Sequence, residues 1–139
     1  MRLILVALVC TTTFAAAETT KSDKGKTTHS KWQGTYTCAQ GLTGVNLTID
    51  EKCSGDTCAL TAVFEFGEVK ENPGVPHGSF RMVGESKGLQ VTLRPDKWIE
   101  QPTGWIMVGV TATKNPKEHT LVGSMDHPSC GSISLKNVP

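Results

Sequence analysis

Aspartate, histidine and serine fall close together once in this chain, in "MDHPSC", which holds Asp126, His127 and Ser129. These are the residue types of a hydrolytic triad. A working triad, however, is assembled from remote segments and needs a shaped oxyanion hole. A run this tight, with Pro128 inside it, reads as a turn. The other histidines, His29, His77 and His119, have no partner at the i, i+4 or alternating spacing that a metal site shows. Acidic residues are scattered and no pair marks a glycosidase. "GVNLTID" and "KGKTT" lack the glycine spacing of a phosphate loop. The chain therefore reads as non-enzymatic, with no cofactor and no metal.

Sulfur is the more informative chemistry. "EKCSGDTC" (Glu51 to Cys58) sets two cysteines around a small polar turn, a spacing open to a metal site, a redox pair or a covalent clip. The N-terminus bears on the choice. "MRLILVALVCTTTFAAAETT" has one basic residue, Arg2, then an apolar run and the small-residue stretch Ala15 to Ala17. That is the layout of a secretory signal over residues 1–17, cut after Ala17. The run is well short of the ~20 apolar residues a spanning helix needs. Cleavage removes Cys10 from the five cysteines and leaves Cys38, Cys53, Cys58 and Cys130. An even set in a small secreted chain predicts disulfides, whereas a Cys-x4-Cys zinc site or a Cys-x-x-Cys redox motif does not fit.

Cleavage also removes Arg2, taking 14 Lys+Arg to 13 against 13 Asp+Glu. This balance argues against nucleic acid or an anionic membrane as the main partner, since both demand a basic excess. Residues 18–30, "ETTKSDKGKTTHS", contain no large apolar side chain and predict a flexible tail. A single domain is expected over 31–139.

The elements that must carry these residues follow a period of two. Val45, Leu47 and Ile49 share one face of "GVNLTID", and Leu60, Ala62, Phe64 and Phe66 share one face of "ALTAVFEF". "KWQGTYTC", "GSFRMV", "LQVTLR", "TLVGSM" and "SISL" behave alike, and "WIMVGVTA", apolar on both faces, predicts a doubly covered strand. Glycine- and proline-bearing turns separate them, giving about eight strands and no helix. The expected fold is all-β, an antiparallel meander closed as a small barrel, with a two-sheet sandwich as the alternative. Cys53 then faces Cys58 across a hairpin mouth. Cys38–Cys130 is the preferred second pair, because the first and last strands are neighbours if a barrel closes. Four cysteines allow three connectivities, and sequence alone leaves the others open.

Trp32 and Trp105 read as core. Trp98 falls in "RPDKWIEQPTGW", a long link, so Arg94, Lys97, Trp98 and Glu100 form the candidate binding loop. "GEVKENPGVPHG" is the second candidate. Asn46 opens an N-glycosylation sequon, Asn46-Leu47-Thr48, and alternation points it away from the core.

"WQGTYTCAQGLTGVNLTI" (Trp32 to Ile49) resembles the opening of a small extracellular domain of bacterial secreted proteins, where it stands alone or follows a caspase-like peptidase. That pattern also carries stretches like "NPGVPHGSFRMVG", "LRPDKWIEQPTGWIMV" and a final cysteine near "PSCGSISL". The resemblance spans most of Trp32 to Leu135 and implies no assigned activity. Over a few residues, "YTCAQG" followed by an alternating strand looks like the Tyr-x-Cys start of membrane-bound lysozyme-inhibitor barrels. The resulting expectation is a secreted, non-enzymatic protein that binds an extracellular protein or glycan, or serves as a matrix, adhesion or secretion component. The alternative is an inhibitor or defence protein acting on a hydrolase such as lysozyme.

Overall fold

A computed structural model describes residues 25–139. The expected signal, residues 1–17, and most of the expected tail lie outside the described residues. Eight antiparallel strands follow in order: β1 (Thr27–Cys38), β2 (Gly41–Ser54), β3 (Thr57–Gly67), β4 (Gly78–Lys87), β5 (Gln90–Glu100), β6 (Val110–Asn115), β7 (Thr120–Met125) and β8 (Ser132–Val138). Each pairs with its sequence neighbour, and β1 pairs with β8, so the sheet closes as a barrel rather than a sandwich. β1 starts at Thr27, so residues 27–30 belong to the wall and not to the tail.

An eight-stranded barrel has room inside for side chains and little else. The alternation fills that room. Leu47, Ile49, Phe64, Met82, Val91, Leu93, Val110, Leu121, Ile133 and Leu135 are all buried. The outward positions of the same strands carry residues such as Gln33, Asn46, Thr61, Arg81, Glu85, Arg94 and Ser134, all exposed. This is apolar-in and polar-out, the reverse of a barrel whose outer wall faces lipid. Among the described residues no helix is long and apolar enough to cross a membrane.

Closure needs sharp bends, and three inward-facing glycines supply them. A Cβ at Gly34, Gly84 or Gly123 would lie within about 2 Å of a backbone oxygen of the neighbouring strand, at Ser134, Thr92 and Thr111 respectively. Only a residue without a side chain lets the strands approach so closely there.

The meander gives the barrel two unlike ends. One carries the tight Gly55–Asp56 and Gly88–Leu89 turns and the β6–β7 turn. There Cys53 lies opposite Cys58 and is disulfide-bonded to it, so the "CSGDTC" stretch is a clip on a hairpin. Glu51 and Lys114, on β2 and β6, ion-pair across this mouth, both largely buried. The other end carries the β1–β2 turn and the longer connections 68–77, 101–109 and 126–131. Cys38–Cys130 ties the first of these to the last.

Candidate functional site

The end bearing the long connections is where the structure departs most from the sequence expectation. Arg94 to Glu100 is not a loop. β5 runs on through it, paired to β4, with register shifts that leave Asp96 and Ile99 as extra residues. These bulges, with Pro95, let β5 leave β6 after Leu93, because β6 pairs only with Gln90–Leu93. Arg94, Lys97 and Glu100 therefore lie exposed on the wall, and Glu100 is hydrogen-bonded to His77 at 3.0 Å. Trp98 is half-buried and turns its ring edge onto Phe80, 5.4 Å away, and Phe66 at 6.3 Å. Its position is that of a plug.

The expected doubly covered strand "WIMVGVTA" is also corrected. Only its last three residues, Val110 to Ala112, are strand; Trp105 to Gly109 form a connection that folds back over the barrel mouth. Trp105 stacks on Phe66 at 4.9 Å with an interplanar angle of 16°. Apolar residues on both sides are explained by this double role, one side capping the core and the other meeting solvent. Ile106 is 59% exposed and Ile99 57%. Trp32, by contrast, is core as expected, at 7% exposure.

Between this connection and the β1–β2 turn lies a cleft of about 320 Å³. One wall is Trp105, Ile106 and Val108. The opposite wall is Tyr36, Ala39 and Gln40, and the Cys38–Cys130 bridge with His127 and Ser129 closes the side. The volume is at the lower limit of ligand clefts, and the lining is mostly apolar with a few polar groups, the usual composition of such sites.

The polar frame around the cleft is fully bonded. Asn72 Nδ2 donates to Gln40 O at 2.8 Å and to Leu42 O at 2.9 Å, clasping the 68–77 connection onto the β1–β2 turn. Gln40 Nε2 donates to Thr43 Oγ1, and the Thr43 hydroxyl donates to Gly41 O. Burial pushes the Tyr36 phenol up to about 12, against the smaller opposing pull of hydrogen bonds from Gln40 and Thr43. It is a neutral, fixed wall at any physiological pH.

His127 and Ser129 meet in this cleft but do not build a relay. The Ser129 backbone N–H donates to His127 Nδ1 at 3.2 Å, and Ser129 Oγ sits 2.7 Å from the same nitrogen. Asp126 faces β6 instead, where the Thr111 hydroxyl lies 3.1 Å from each carboxylate oxygen. The Cys130 and Gly131 N–H groups donate to His127 O and Thr37 O, so neither is free as an oxyanion donor. The arrangement is a capped turn.

One cluster of three potential metal ligands occurs among the described residues: Glu51, Cys53 and Cys58. Both sulfurs are spent in the disulfide and Glu51 is paired with Lys114, so no ligand set is left. Asn46 is exposed on β2, between Gln33 and Glu65. It borders a wider hollow of about 580 Å³ whose floor includes Gly34, Gly44 and Gly67. Its rim is polar, with Gln33, Glu65, Glu68 and His77.

Sequence reasoning missed Ile106 and Gln40 as parts of the site, while Asn72 lies in the second candidate loop, "GEVKENPGVPHG". Pro102 and Gly104 just before "WIMV" were the available signal for a connection, since both are turn formers. No family model matches the chain, and neither a curated protein nor a solved structure gives a match.

Proposed function

We propose that this chain is a secreted, non-catalytic binding module that recognises an extracellular partner through the cleft end of its barrel. The observation that carries the reading is the cleft itself: an aromatic and aliphatic wall, including the exposed Ile106, set on a covalently pinned frame. The filled interior leaves no room for a ligand inside the barrel, which directs recognition to the rim. Two disulfides suit an oxidising compartment, and secretion by the N-terminal signal would deliver the chain there. Asn46, exposed within its sequon, is proposed as a glycosylation site; it borders the hollow that also meets Glu68, Val75 and His77 of the 68–77 connection.

Site-specific photocrosslinking tests the reading. A photoreactive residue replaces Ile106 in one preparation and Val122, an exposed apolar residue of the outer wall, in another. In the native extracellular milieu, adducts of defined mass form from position 106 and not from 122. No adduct from 106, or equal labelling from both, contradicts the assignment.

A further inference from the structure

We infer that the cleft end takes a basic polypeptide segment, one bulky apolar side chain flanked by lysine or arginine; this rests on the reading of that end as the recognition face. Although the chain is balanced in charge, the charge is not evenly placed. The connections and strand ends around the cleft carry Glu68, Glu71, Glu100 and Asp126, against Lys70 alone. Lys97 lies lower on the wall, with Asp96 beside it. The opposite end carries Lys26, Lys52, Lys87, Lys114, Lys117 and Lys136 against Glu51, Asp56, Glu85 and Glu118, so it is net positive where the cleft end is net negative.

Glu71, Glu100 and Asp126 stand next in sequence to Asn72, Gln101 and His127, which frame the cleft, so this end presents a net negative field where an apolar anchor would enter. Such a rim repels nucleic acid and anionic lipid, and it attracts a cationic segment by steering and by direct pairing. The floor fits the anchor. Ile106 and Val108 are branched aliphatic groups, which grip an apolar side chain, whereas a sugar needs an open aromatic face. The ring of Trp105 already stacks on Phe66. Glu71 has room to pair with an incoming cation, since it stands exposed beside Asn72, which holds the cleft frame together.

The test is selection of a phage-displayed library of random peptides on the oxidised full chain, with counter-selection on Ile106→Asp. Melting curves establish that Ile106→Asp and Glu71→Lys fold like the parent. Selected peptides are expected to combine an aliphatic or aromatic residue with neighbouring Lys or Arg. Their association should slow about tenfold between low salt and ~0.5 M salt, and slow again in Glu71→Lys, as rim-steered association does. Peptides that need Ile106 yet show no basic enrichment and no salt dependence would overturn the charge inference while leaving the recognition face in place. Recovery of no peptide that distinguishes the parent from Ile106→Asp would overturn both.

Discussion

Removing the two disulfides one at a time separates their contributions. Cys38 and Cys130 are 92 positions apart and join the β1–β2 turn to the β7–β8 connection, whereas Cys53 and Cys58 are 5 apart across one hairpin. In the chain-entropy model the long closure is worth about 4.6 kcal/mol and the short one about 2 kcal/mol. Cys58 is buried, so its truncation adds up to about 1 kcal/mol of lost packing, which leaves the order unchanged. The perturbation is Cys38→Ala with Cys130→Ala in one protein and Cys53→Ala with Cys58→Ala in another. Guanidinium unfolding without reductant gives both stabilities. At about 4 °C per kcal/mol for a domain of this size, the melting temperature falls by roughly 18 °C in the first and roughly 8–12 °C in the second. The unfolding slope should rise more in the first, because the denatured chain is freed over a far longer span. Equal losses, or a greater loss from the hairpin pair, would refute the closure argument and the topology behind it.

Three further outcomes follow from particular contacts. Trp98→Ala removes the edge contacts to Phe66 and Phe80 and should cost about 2–4 kcal/mol in chemical denaturation; a neutral result would return Trp98 to a recognition role. Gly123→Ala drives a Cβ into the Thr111 carbonyl and should cost at least about 2 kcal/mol, while Gly131→Ala, with its nearest neighbours at 4.0 Å, should be near neutral. Tyr36 is the single tyrosine, so phenolate absorbance reports it alone, with a midpoint near pH 12 in the folded protein where an exposed phenol titrates near 10. Because the folded value is raised, this contribution is intact below about pH 10 and is lost as pH climbs toward 12; a midpoint near 10 would mean that Tyr36 is not buried.

Much of the scaffold could be read from residue order, because period-two alternation in "GVNLTID", "ALTAVFEF" and "LQVTLR" reports directly which side chains a closed sheet must bury. The disulfide pairing was legible for the same reason, since hairpin geometry and closure each bring one pair together. The candidate site was not. Trp98 stands in a stretch whose proline and charges look like a loop, yet tertiary pairing with β4 holds it in the wall through two bulges. In the next stretch, Trp105 and Ile106 look like strand residues, yet β6 departs from β5 before reaching them. Both errors share one cause. Where a strand pairs on only one edge, local pattern no longer determines which segment is wall and which is cap. The clasp from Asn72 to Gln40 joins positions 32 apart in sequence and leaves no local trace.

Isoleucine methyl groups offer the most direct test of recognition at the cleft end. Ile49 and Ile133 are buried inside the barrel, while Ile99 and Ile106 stand exposed at the cleft end. With all four labelled at the δ methyl, titration with a basic peptide from the selection should shift the Ile106 resonance strongly and leave Ile49 and Ile133 in place. Movement of Ile49 and Ile133 with Ile106 unchanged would put the ligand inside the barrel and contradict the account.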